Sequence, residues 1–185
     1  MITDSKENFV APGSPLSIVA AAGVDIPSPG IIDFLGDGPG TPVTNHFGTS
    51  TLPGQADAQG VGGVRPELVV AIGTAATAGT STPTLNVQLQ GAPDDGSNNP
   101  GTWQTLGESG EFTVAQLVAG QVIARLPWLP PFPVNLRPRF LRLNFAVPAG
   151  TAFGAGTIAY ATVTTVRDDP FQMQAARAYS MGPLN

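Results

Sequence analysis

The chain has 185 residues, enough for one domain with a substantial hydrophobic core and no covalent staples. It contains no cysteine, which excludes disulfides, thiolate catalysis and Cys-ligated zinc. The net charge of −5 speaks against nucleic-acid binding, which wants a broad basic face.

Only 11% of residues are charged, against about 25% in an ordinary soluble domain. So few charges suggest that part of the surface is covered by something else. The charge is also uneven. Residues 1–120 hold eleven acids against Lys6 and Arg65, a balance of −9, and residues 121–185 hold six arginines against two aspartates, a balance of +4. This pattern permits opposite patches that meet a partner or a second copy. It also permits strands from both halves to interleave and average the charge out. With 23 glycines and 19 prolines the chain must turn often, yet 42% hydrophobic residues in alternating segments argue for a folded protein. No apolar run approaches the roughly 18 residues needed to cross a bilayer. Residues 1–8 lack the basic and apolar regions of a signal peptide, so synthesis and initial residence in the cytosol are expected.

In chain order, residues 1–15 are polar and then interrupted by Pro12, Gly13 and Pro15, and are expected to form an N-terminal arm. The core domain is expected over residues 16–166. Residues 16–22 (LSIVAAA) suit a first strand better than a short helix, and residues 31–35 (IIDFL) a second strand. Residues 39–64 are glycine-punctuated and irregular, an expected long loop or insertion. The continuous apolar run at residues 68–72 (LVVAI) suits a strand covered on both faces, and residues 77–83 read as a loop. The clearest unit runs over residues 84–106. Leu85, Val87 and Leu89 alternate with Asn86, Gln88 and Gln90, a turn rich in Asp, Asn, Gly and Pro follows, and Trp103 re-enters the sheet as an apolar anchor. Residues 107–110 are expected to turn, 113–118 to make one helical turn, and 121–126 to form a strand. The five prolines of residues 127–138 predict an extended connection; its PxxP formally fits an SH3-type ligand, but a proline-stiffened crossover explains it equally well. In residues 139–147, Leu141, Leu143, Phe145 and Val147 share one face, and residues 157–166 are rich in β-branched side chains. Residues 167–185 are expected to form a C-terminal arm. About eight strands with intervening turns predict an all-β, antiparallel β-sandwich of jelly-roll type, with extended N- and C-terminal arms and long loops.

Few residues suggest chemistry. The single histidine, His46, lies in the glycine-rich loop and reads as an ordinary loop residue. The run Asp94-Asp95-Gly96-Ser97-Asn98 clusters oxygen ligands but departs from a calcium-loop pattern, and turn chemistry explains it better. Asp33 and Asp37 around Gly36 read the same way. Glu108 and Glu111 are spaced as an acid/base pair but read as solvated turn residues. No catalytic, metal or cofactor residues are assigned, and the expectation is a protein that is not an enzyme. Arg137, Arg139 and Arg142 crowd the start of one strand, with Arg125 on another. Guanidinium groups there suit either an intersubunit contact or charge protection of an edge strand.

Several segments, taken in order, carry a resemblance: GIIDFLG (30–36), PELVVAI (66–72), TLNVQLQ (84–90) with Trp103, LVAGQ (117–121), LP (126–127), RFLRLNFAV (139–147) and residues 154–166. The chain resembles the capsid cement (decoration) protein family of tailed bacteriophages, of the Bordetella-phage type. The likeness covers residues 30–36 and 66–166. The loop at 39–64 is longer than the tight glycine-rich turn usual there, and the 127–138 connection is heavier. The resemblance implies a jelly-roll protein on the outer surface of the phage head that clamps neighbouring major capsid subunits. It implies the major capsid protein and further copies of itself (a dimer or trimer at a symmetry axis) as partners, with no cofactor, nucleic acid, membrane or small-molecule substrate. Arg137, Arg139, Arg142, Phe171, Met173 and Tyr179 are the interface residues expected on this reading. The alternative is a ligand- or carbohydrate-binding β-sandwich module of a phage fibre or adhesin, although the supply of exposed aromatic side chains is thin: Trp103 reads as buried and Trp128 sits among prolines.

Overall fold

Leu85, Val87 and Leu89 cannot reach the same side of a strand as Asn86, Gln88 and Gln90, so a strand made of them needs one dry face and one wet one. The computed structural model shows this division and describes residues 8–33, 39–40, 66–127 and 138–165. Strand β7 (Thr84–Ala92) buries the three apolar side chains and leaves the amides partly exposed. Strand β10 (Phe140–Ala146) pairs with it antiparallel, Leu143 opposite Leu89, and buries Leu141, Leu143 and Phe145 on the same face.

Twelve strands are assigned among the described residues. The remaining ones are β1 (Asn8–Val10), β2 (Leu16–Ser17), β3 (Ile26–Pro27), β4 (Ile32–Asp33), β5 (Pro66–Ile72), β6 (Thr77–Thr80), β8 (Gln104–Thr113), β9 (Val122–Pro127), β11 (Ala152–Ala155) and β12 (Thr157–Thr165). One sheet runs β1-β12-β5-β9, with β2 also on β12; the second runs β3-β10-β7-β8, with β4 also on β10. β1 and β2 thus share one position, as do β3 and β4, which leaves eight positions in all. In chain order the first pairs with the eighth, the second with the seventh, the third with the sixth and the fourth with the fifth. That is one long antiparallel ribbon, bent back at the β7–β8 turn and rolled into two sheets. The sandwich is therefore a jelly roll, as expected.

The core between the sheets draws on both. Leu68, Val70 and Ile72 of β5 and Ile158, Ala161 and Val163 of β12 meet Leu85, Val87, Leu89, Leu141, Leu143 and Phe145. β5 lies between β12 and β9, and all of Leu68 to Ile72 is buried, which explains its unbroken apolar run.

Several expectations are corrected. Part of the expected N-terminal arm is sheet: Phe9 and Val10 are fully buried on β1, and burying two such side chains offsets the entropy of ordering three residues. The neighbouring connection approaches closely, because the Gly30 N–H donates to the Phe9 carbonyl at 2.9 Å and a Cβ at Gly30 would lie 2.1 Å from the Asn8 carbonyl oxygen. Only Leu16–Ser17 of residues 16–22 is strand. Residues 77–80, read as loop, form β6, which pairs antiparallel with β11, whose Phe153 is buried. Residues 107–110, read as a turn, lie inside β8. The register slips there, Gly110 sits at φ +81°, and Ser109 Oγ accepts the Val87 N–H at 3.0 Å in place of a ladder carbonyl. The expected helical turn is a 3₁₀ turn at Val114–Gln116, where Gln116 Oε1 accepts the Thr113 N–H at 2.8 Å.

The two ends of the sandwich differ. At one end short links join Ser17 to Ile26, Ile72 through β6 to Thr84, Thr113 to Val122, and Ala146 through β11 to Thr157. At the other lie Asp33, Pro66, Pro127, Phe140 and Thr165, the strand ends that lead into residues 34–65, 128–137 and 166–185, together with the β7–β8 turn.

Because Phe145 is fully buried between the sheets, Phe145→Ala is expected to lower stability by about 3–5 kcal/mol in urea unfolding. Thr80→Ala, on the exposed β6, is expected to stay within about 0.5 kcal/mol.

Candidate functional site

Two groups of polar side chains stand out, both on the sheet that carries β10. The first is at the tip of the ribbon. Arg139 precedes β10 and places its guanidinium among Asp33, the last residue of β4, and Asp94 and Asn98 of the β7–β8 turn. Its Nε and Nη2 donate to the two carboxylate oxygens of Asp33 at 3.0 and 2.9 Å, a side-on fork. Its Nη1 donates to Asp94 Oδ2 and, at 2.8 Å, to Asn98 Oδ1. The Arg139 side chain is 4% exposed, Asp33 1% and Asp94 33%, so the cluster is buried on its Asp33 side and open on its Asp94 side.

Asp94 builds the turn as well. Its Oδ1 accepts the N–H groups of Gly96 and Asn98 at 2.7 and 3.0 Å, while Asp95 Oδ1 accepts those of Ser97 and Asn99 at 2.7 and 3.2 Å. Desolvation pushes the Asp94 carboxyl upward, but the Gly96 N–H and the Arg139 guanidinium outweigh it and hold the group below the ordinary carboxylate value. The hydrogen bond to Asp33 raises Arg139 above its ordinary value. A guanidinium therefore occupies the place where a cation bound to Asp94 would sit, and the oxygen-rich run reads as turn chemistry. Among the described residues no group of three or more His, Asp or Glu is placed to hold a metal ion.

The second group lines the outward face of β10, β7 and β8. Arg142 donates from Nε to Gln90 Oε1 at 2.9 Å and lies 4.3 Å over the Trp103 ring. Asn144 Nδ2 donates to Gln88 Oε1 and to Asp25 Oδ2 at 3.0 and 2.9 Å. Asn86 Nδ2 donates to Glu108 at 2.6 Å, and the Thr84 hydroxyl to Glu111 at 3.2 Å. Glu108 and Glu111, imagined as an acid/base pair, thus brace separate cross-strand contacts. Trp103, expected to be buried, is only partly so, because it packs on this outer face against Arg142 rather than in the core.

Of the expected interface residues, Arg139 is corrected. Its guanidinium is buried and bonded within the chain, so neither an intersubunit contact nor edge protection describes it. Arg142 is half-buried on the outward face. Arg137, Phe171, Met173 and Tyr179 lie outside the described residues, as do His46 and Trp128. Reading Asp33 and Asn98 as turn residues misses their role as partners of Arg139. The available signal was an acid inside the apolar run IIDFL, where burial demands a charged partner.

Fold and site together define a jelly-roll protein with one buried ion-pair cluster at its tip and a network of cross-strand polar contacts on one outward face. Residues 47–163, more than half of the chain, match the family model Bbp16, and the chain belongs to the Bbp16 family, a family of Bordetella phage proteins. No curated protein matches it.

Removing Arg139 leaves Asp33 buried without that partner, so Arg139→Ala is expected to cost about 3–5 kcal/mol in urea unfolding. Arg142→Ala, which loses one hydrogen bond and the stacking on Trp103, is expected to cost about 1–2 kcal/mol. Because the Asp94 carboxyl is held low when folded, its contribution is fully present above its unfolded value of about 4 and disappears as pH falls through the folded value. The stability gap between the wild type and Asp94→Asn is expected to be widest near neutrality and to close in acid. A gap that stays constant with pH would remove the charge from the account.

Proposed function

We propose that this chain is a structural virion protein that decorates the outer surface of a phage head and clamps neighbouring major capsid subunits. The observation that carries the reading is membership, over residues 47–163, in a family of Bordetella phage proteins. The fold supports it. The strand ends that lead into residues 34–65, 128–137 and 166–185 lie together at one end of the jelly roll, which offers that end for contact, and the low share of charged residues suits a protein partly covered by neighbours. On this reading the tip end meets the shell, and a dimer or trimer sits at a symmetry axis. Arg142 and the charged or apolar residues beyond the described strands (Arg137, Phe171, Met173 and Tyr179) supply contacts. The chain acts by binding rather than by catalysis. It stabilises an assembled shell by mass action, because it binds the shell and not the free subunit, and repetition over a symmetric lattice supplies avidity.

One observation favours a second reading, a carbohydrate-binding module. The outward face presents Trp103 beside amides and carboxylates, groups that suit sugar hydroxyls. Against it, one face of the Trp103 ring is covered by Arg142, and the amides are bonded to one another. A glycan array with no hits would end it.

The first reading is tested by co-sedimentation of the purified chain with preformed shells that lack it, and with free major capsid subunits. Binding to shells alone is expected. Equal binding to both, or to neither, would overturn the proposal.

A further inference from the structure

Asn98 joins three parts of the tip. Its N–H donates to Asp94 Oδ1 at 3.0 Å, its side-chain Oδ1 accepts from Arg139 Nη1 at 2.8 Å, and its carbonyl accepts the Gly40 N–H at 2.6 Å. It does so at φ +63°, a left-handed turn conformation that asparagine tolerates better than most non-glycine residues. Arg139 in turn holds Asp33, the last residue of β4. Gly40 lies seven positions beyond that strand end. The Arg139 guanidinium and the Asn98 backbone carbonyl therefore connect the turn at residues 94–99 to Asp33 on one side of residues 34–38 and to Gly40 on the other.

We infer that Arg139 and Asn98 form a latch that couples the β7–β8 turn to Gly40, so that the turn and the Gly40 contact are held or released together while the sheets stay folded. The arrangement of burial supports local release. The Asp33 side of the guanidinium is buried and doubly bonded, whereas Asp94 is one-third exposed and Asp95, Gly96, Ser97 and Asn99 are open to solvent. Water replaces the Nη1 partners on the open side without entering the core, so the turn comes away at the Asn98 and Asp94 contacts while the Asp33 fork keeps Arg139 in place. Once Asn98 leaves, the Gly40 N–H loses its acceptor. Coupling of this kind is reciprocal. The inference is independent of capsid binding, because it concerns the isolated chain.

The test is amide hydrogen exchange on the full-length protein, read by NMR at Gly40, Gly96, Val70 and Leu143. Asn98→Gly keeps the left-handed backbone accessible and removes only the side-chain acceptor for Arg139. Asp94→Asn is the second variant, which keeps an oxygen to accept the Gly96 N–H and removes the charge. In both, exchange at Gly96 and at Gly40 is expected to rise together by about tenfold or more, the change expected for losing a hydrogen bond to a charged group. Val70 and Leu143, in the sheets, are expected to be unchanged. Acceleration at Gly96 with Gly40 unaffected would overturn the latch, and so would a uniform rise at all four amides or a Gly40 amide already unprotected in the wild type.

Discussion

A sheet with one apolar face cannot exist alone in water, and the rest of this molecule follows from how the chain covers such a face with itself. The ribbon that bends at the β7–β8 turn points one row of apolar side chains inward along β5, β7 and β10. Rolling it brings Leu85, Val87 and Leu89 against Leu68, Val70 and Ile72 without any change of alternation. The pairing of first strand with eighth, second with seventh, third with sixth and fourth with fifth is the signature of that single operation. It also explains why β1, only three residues long, is held firmly. The eighth strand needs a neighbour on its far side, and Phe9 and Val10 provide the apolar surface that makes the pairing favourable.

Rolling the ribbon leaves a problem at its tip, where an eleven-residue connection, 93–103, must be ordered without a core beneath it. The solution is polar. Asp94 and Asp95 each accept two backbone N–H groups, and Arg139 ties the turn down to Asp33. A buried guanidinium stabilises only while its partners are present, because desolvating it is expensive and the charged hydrogen bonds are what offset that expense. Its value lies as much in geometry as in energy, since the fork on Asp33 fixes the direction in which Nη1 reaches the turn.

The sequence was most legible where one physical effect dominated. Alternation over residues 84–90 and 141–147, and the unbroken run 68–72, gave strands, faces and burial correctly, because apolar burial outweighs every local preference there. It failed where glycine has two meanings. Gly107 and Gly110 read as a turn but belong to the slipped register of β8, and Gly79 read as loop but lies in β6. Glycine permits a turn and also permits a bulge or a close approach, and only the partner strand decides between them. The site was harder still. Arg139 and Arg142 are three residues apart and looked alike, yet one is buried by Asp33 and the other stacks outside on Trp103. What separates them is a set of three long-range partners, Asp33 from 106 positions upstream and the turn residues Asp94 and Asn98, and no local pattern encodes such a meeting.

The asymmetry between the two ends is what the proposed function draws on. Here the short links close one end, and the strand ends that lead into residues 34–65, 128–137 and 166–185 surround the one turn that the chain has braced with a buried ion pair. Preorganising the centre of such an end lowers the ordering entropy that remains when a partner is met. For a protein proposed to act in many copies on a lattice this matters more than the strength of any one contact. A small saving at each site is repeated at every equivalent position, and occupancy of the whole shell depends on it steeply.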